Sequence, residues 1–143
     1  MSNLQRVLAQ ERNPGTYRFD SRASVQVMET EAADAGWQLF YLDGAKVRDK
    51  KSFLEKIARA MKFPEYYGKN WDAFEECVND LSWAPASGYV LVYQAPERFV
   101  KNARADWEIA LDIFASAIEN WSERGIPFYV LLRGMVPGEI ESF

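Results

Sequence analysis

Tyr89-Val90-Leu91-Val92-Tyr93 stands between Gly88 and Pro96 without a single charged residue, and a run this short and this rich in aromatic and β-branched side chains reads as a buried strand. Two other stretches share its character: Trp37–Leu42, held between Gly36 and Gly44, and Phe128–Leu132, held between Pro127 and Gly134. The intervals between them carry helical spacing. Ser52-x-x-Glu55 has the form of a capping box, and Phe53, Leu54, Ile57, Ala58 and Met61 then recur as the inward face of a helix that must stop before Pro64. A second helix is expected from its N-cap Asn70 to about Leu81. The third and longest places Trp107, Leu111, Phe114, Ile118 and Trp121 at spacings of three and four before Gly125 ends it. Strands alternating with helices require a mostly parallel sheet with crossover helices. The expected class is therefore α/β, a two-layer or three-layer sandwich on a parallel sheet of three or four strands.

Outward from this centre the pattern weakens. Thr16–Phe19 reads as a short strand and Ala23–Ala35 as a helix with Val25, Met28 and Ala32 or Ala33 inward, so residues 16–36 form an additional strand-helix unit before the main domain at 37–134. Residues 1–15 carry no clear period and are expected to be a flexible or loosely docked tail, and residues 135–143 a C-terminal tail.

The composition narrows the chemistry. A chain of 143 residues with 48% apolar and 15% aromatic side chains fills the core of one domain. It has no histidine, which removes histidine-based triads, His-Cys zinc patterns and the commonest general base at neutral pH. A lone Cys77 makes neither an internal disulfide nor a thiolate cage and reads as a small buried hydrophobe in a reducing compartment. Neither a GxxxxGK[ST] nor a GxGxxG motif occurs, so no nucleotide cofactor is expected. A net charge of −4 opposes general binding to nucleic acid or anionic membrane, and no apolar run approaches the roughly 20 residues that cross a bilayer. Residues 1–15 lack a secretory apolar segment, and the expected location is cytoplasmic.

The charge itself is concentrated. Between Pro64 and Ala84 one cation, Lys69, stands against Glu65, Asp72, Glu75, Glu76 and Asp80, while the rest of the chain is balanced. On the helix from Asn70, residues Trp71, Phe74, Cys77, Val78 and Leu81 share one side and the carboxylates share the other with Asn79. Asp72 with Glu76, and Glu76 with Asp80, are like-charge pairs one turn apart, each costing an isolated helix about 0.2–0.5 kcal/mol. A solvated face is one reading of such a ridge. The neighbouring Tyr66 and Tyr67 favour another, since rigid aromatics beside carboxylates are the usual anchors of a protein interface.

Pro64-Glu65-Tyr66-Tyr67-Gly68-Lys69-Asn70-Trp71-Asp72-Ala73-Phe74-Glu75-Glu76-Cys77 resembles the signature segment of the barstar family, intracellular inhibitors of secreted ribonucleases of the barnase type. The resemblance extends more loosely from Tyr41-Leu42-Asp43-Gly44 through the Ser52 helix to the last strand before Gly134, about two thirds of the chain. It implies a protein that plugs a nuclease active site with a loop and helix, a helix carboxylate taking the place of the substrate phosphate. Carried over by position, Tyr66 packs on the catalytic site, Gly68 and Asn70 shape the loop, Asp72 pairs with an arginine and Glu76 is the phosphate mimic. Asn79 stands where the family has a threonine contact, and Trp83 matches the family's next tryptophan if a short insertion precedes it. The implied partner is a basic guanyl-specific ribonuclease, bound one to one by a monomer, with no cofactor, metal, nucleic acid or membrane involved.

Three departures bear on partner choice. Glu76 replaces an aspartate and carries its carboxylate one methylene further out; Lys69 replaces an acid and Glu75 a tryptophan; and the Trp107 helix is longer than its counterpart, so the family's acidic contact there falls near Glu119, Asn120 or Glu123 without a choice among them. A barstar-like module for a different toxin or a non-nuclease partner is the alternative. Catalysis by Asp72 and Glu76 is disfavoured, because nothing on a hydrated helix face raises one carboxyl into an acid at neutral pH. A metal on Asp72, Glu76 and Asp80 would have ligands on one side only. The residues before Trp37 are compatible with a wider interface, an extra strand or self-association.

Overall fold

The computed structural model describes residues 1–143. Four strands, β1 (Thr16–Arg18), β2 (Gln38–Asp43), β3 (Tyr89–Gln94) and β4 (Phe128–Arg133), form one parallel sheet in the order β1-β4-β3-β2. Six helices cover it: α1 (Asn3–Leu8), α2 (Val25–Asp34), α3 (Lys50–Ala60), α4 (Trp71–Asp80), α5 (Glu97–Asn102) and α6 (Arg104–Glu123). The fold is α/β, in three layers.

Alternation along the strands explains the layering. Leu39, Val90, Val92, Tyr129 and Leu131 point to one face with Met28 and Ala32 of α2, while Phe40, Leu91, Tyr93, Val130 and Leu132 point to the other with α3, α4, α5 and α6. The larger core centres on Phe53, whose ring stacks on Phe99 at 5.2 Å and meets Phe74 edge-on at 5.3 Å. A glycine is required just after β2, since a Cβ on Gly44 would lie 2.2 Å from the Gln94 carbonyl oxygen.

Three expectations change, and one helix, α5, was not expected. Residues 3–8 of the supposed N-terminal tail are a helix, capped by Ser2 and Gln5, with Leu4 1% exposed and Val7 fully buried in the α2 layer. Two apolar residues three apart on one turn give too short a period to read from sequence. The C-terminal residues also dock: Phe143 meets Tyr17 edge-on at 5.2 Å, and Arg18 bridges to Ser142. The cap of α3 lies three residues before the expected one, with Asp49 as N-cap and Ser52 as the reciprocal N3 partner. Finally α5, six residues with one buried side chain, Phe99, carries no period long enough to be read.

Candidate functional site

Helix α4 is fixed from both ends. Asn70 caps it, its side-chain oxygen accepting from the Ala73 N–H at 2.8 Å, and Asp72 adds negative charge to the first turn, where the helix dipole favours it. At the far end Leu81 takes the left-handed conformation at φ 48°. Three groups of α6 and its C-cap hold this end: Trp121 Nε1–H donates to the Val78 carbonyl at 2.9 Å, Arg124 to the Asn79 carbonyl at 2.7 Å, and the Asn120 amide to Asn79 Oδ1 at 2.9 Å. Phe74, Cys77 and Val78 are buried beneath, and Asp72, Glu75, Glu76 and Asp80 are exposed above. No lysine or arginine lies within 4 Å of any of these four carboxylates, the molecule's ion pairs being elsewhere. Burial pushes the Cys77 thiol up, with Glu76 and Asp80 adding to the effect, so it remains a neutral core group at physiological pH.

The loop before α4 separates its two tyrosines. The Tyr67 N–H donates to the Pro64 carbonyl at 3.0 Å and its ring turns inward against Phe63, 5.1 Å between centroids, leaving it 9% exposed. Tyr66 is thereby left 75% exposed. Tyr67, read from sequence as a second anchor, is instead what pins the loop. Gly68 and Asn70 lie exposed between Tyr66 and the helix, and Lys69 takes φ 52°.

The other expected residues divide. Tyr66, Asp72 and Glu76 leave their polar or aromatic ends in solvent. Asn79 is half-buried and its side chain is already committed, donating to the Glu75 carbonyl at 2.7 Å as well as accepting from Asn120. Trp83 is half-buried, edge-on to Phe63 at 5.8 Å, with its indole N–H donated to the Met61 carbonyl at 3.0 Å. Of Glu119, Asn120 and Glu123, it is Asn120 that hydrogen-bonds to α4. Asn120 and Arg124 as tethers of the acidic helix had no signal in the sequence, because their partners lie 41 and 45 residues away.

Fold and site together define an α/β protein whose acidic helix has no cation of its own and whose pinned loop displays one aromatic beside it. The family model of Barstar (barnase inhibitor) matches residues 37–133, and the chain belongs to the barstar family. The match spans β2 to β4 and includes the whole of α4 and its loop; residues 1–36, with α1, β1 and α2, precede it. No curated protein matches the chain significantly. No helix is long and apolar enough to cross a membrane.

Proposed function

We propose that the protein is a stoichiometric inhibitor, an antitoxin and not a catalyst, of an extracellular guanyl-specific ribonuclease of the barnase type, and that it acts in the cytoplasm. The observation that carries the reading is the pairing of Asp72 and Glu76, one turn apart, exposed and without cationic partners, beside the exposed ring of Tyr66. Carboxylates so placed have no cation of their own chain to satisfy them and are free to meet the arginines and lysine that hold RNA phosphate in such a nuclease, with charge-assisted hydrogen bonds forming when the two surfaces meet. Tyr66 supplies rigid area that excludes water from those contacts. Gly68 and Asn70 shape the approach, while Asn79 and Trp83 border the face. Encounter between an acidic helix and a basic cleft is accelerated by their fields, so salt weakens binding mainly through the association rate.

The test is a titration of the purified protein into a barnase-type ribonuclease while RNA cleavage is followed, with Glu76→Ala in parallel. Inhibition that saturates at one inhibitor per enzyme, and that the variant loses, is the expected result. A folded protein that does not inhibit would place the acidic helix against a different toxin or a non-nuclease partner, a reading that Glu75 and Lys69 at the rim favour because they alter two positions of the family's contact surface.

A further inference from the structure

The two edges of the sheet are finished differently. Outside β1 the Arg18 N–H donates to the Glu141 carbonyl at 2.8 Å, the Phe143 N–H donates to the Arg18 carbonyl at 2.9 Å, and the Arg12 guanidinium pairs with the Glu141 carboxylate. The acidic C-terminal segment thus covers that edge through one parallel bridge, Arg18 to Ser142. Strand β2, at the opposite edge, has no such cover. Gln38 pairs with Tyr89 and its N–H donates to the Gly88 carbonyl at 3.0 Å, so Gln38, Phe40 and Leu42 turn their main chain toward β3 and Leu39, Tyr41 and Asp43 turn theirs outward. The Leu39 carbonyl accepts from the Gln38 side chain at 3.0 Å; the outward N–H and carbonyl of Tyr41 meet no partner in the chain.

Beside this edge runs an open groove of about 290 Å³ between β2 and α3, lined by Tyr41, Asp43, Lys46, Lys56 and Arg59 among others. Neither lysine nor Arg59 lies within 4 Å of a carboxylate, and Asp43 is turned to accept from the Ala45 N–H at 3.2 Å. The cations belong to a wider excess: residues 45–62 hold seven lysines and arginines against Asp49 and Glu55. An unpaired strand edge asks for a backbone, and unpaired cations ask for carboxylates.

We infer that the β2 edge is a docking site for an extended, acidic peptide segment of a partner protein, which adds as a strand outside β2 and directs alternate carboxylates to Lys46, Lys56 and Arg59. At the other edge the chain's own acidic C-terminus already pairs its backbone with Arg18 through two hydrogen bonds, a shorter instance of the same contact. A second copy is a poorer occupant, since pairing two β2 edges would bring identical cation rows together. The site lies on α3 and β2, apart from the acidic face of α4, and stands independently of the ribonuclease reading.

The experiment uses the full chain and a dye-labelled Glu-Val-Glu-Thr-Glu-Val peptide, with Lys-Val-Lys-Thr-Lys-Val and an oligouridylate as comparisons. Fluorescence anisotropy is expected to show saturable binding of the acidic peptide only, weakened at least tenfold in the folded double variant Lys46→Glu, Lys56→Glu. Amide hydrogen exchange is expected to slow at Tyr41 and Asp43 when that peptide is bound, with Phe40 and Leu42, already bonded to β3, unchanged. Absence of saturable binding would overturn the inference. So would oligouridylate binding as tightly as the peptide with no slowing at Tyr41, which would make the cations a polyanion surface, or peptide binding that leaves the edge amides unprotected.

Discussion

At Phe74 and Glu76, two residues apart on α4, the same truncation is expected to have opposite consequences. Phe74 is fully buried against Phe53 and Phe114, so Phe74→Ala should cost about 3–5 kcal/mol of stability. Glu76 is exposed and unpaired, so Glu76→Ala should leave the melting temperature within a degree or two and weaken ribonuclease binding more than tenfold. Parallel losses in both, seen by thermal melts and inhibition titrations, would mean the helix faces are misassigned. These faces were legible because a 3.6-residue period separates them. The split between Tyr66 and Tyr67 was not, because neighbouring residues in a turn have no period. Another residue-scale feature is the hydroxyl of Tyr93, buried without a hydrogen-bond partner beside Trp107. A hydroxyl stripped of water and given nothing in return is a cost, and Tyr93→Phe should raise stability by about 1 kcal/mol in chemical denaturation. Burial pushes the phenols of Tyr67, Tyr89 and Tyr93 up, and that of Tyr129 to about 12. The unfolded chain therefore loses these protons first, near pH 10. Stability should hold to about pH 10 and fall from there, Tyr129 contributing between about 10 and 12. A flat profile between pH 9 and 11.5 would contradict the burial of these phenols.

At the scale of elements, local signals fixed where helices exist and neighbouring structure fixed where they begin. Both Asp49-x-x-Ser52 and Ser52-x-x-Glu55 have the spacing of a cap. The first operates, with the Ser52 N–H donating to Asp49 Oδ1 at 2.8 Å and the Asp49 N–H donating to Ser52 Oγ at 3.1 Å. Asp49→Ala should then cost about 1 kcal/mol at neutral pH. The hydrogen bonds from Ser52 hold the Asp49 carboxyl below its ordinary 3.8, so this stabilisation is present above that value and is lost as the pH falls through the lower folded one. The difference between wild type and variant should shrink as the pH falls below 3.8, and a difference that persisted undiminished in strong acid would rule out the carboxylate as the capping group. The pairing of α4 with α6 through Asn79, Asn120, Trp121 and Arg124 is an element-scale fact of another kind. Each hydrogen bond joins residues more than 40 positions apart, and no window of sequence contains both ends.

For the whole molecule, the residues that precede the family match are part of the fold. The second face of the sheet, with Trp37, Leu39, Val90, Val92, Tyr129 and Leu131, is covered by α1 and α2, and both Leu4 and Val7 are inside that layer. Leu4→Ala should cost about 2–5 kcal/mol, a loss no mobile tail would show, and urea denaturation at fixed salt measures it. Charge gives a similar lesson at this scale. A net −4 is compatible with a uniform acidic surface, yet the molecule places its acids on α4 and a cation excess on and before α3. Composition and periods of two and 3.6 residues within a short window were enough for the three apolar strands, their alternation with helices and the acidic ridge opposite Phe74 and Cys77, and residues 64–77 carried the likeness to an inhibitor family. Packing of the folded chain settled the rest: β1 joins the sheet beside β4, α1 is core, Tyr67 turns inward, Asn79 and Trp83 spend their polar groups within the fold, and the edge of β2 is open. Those outcomes depend on which distant surfaces meet, and contact between distant surfaces is set by packing and hydrogen-bond satisfaction across the whole chain.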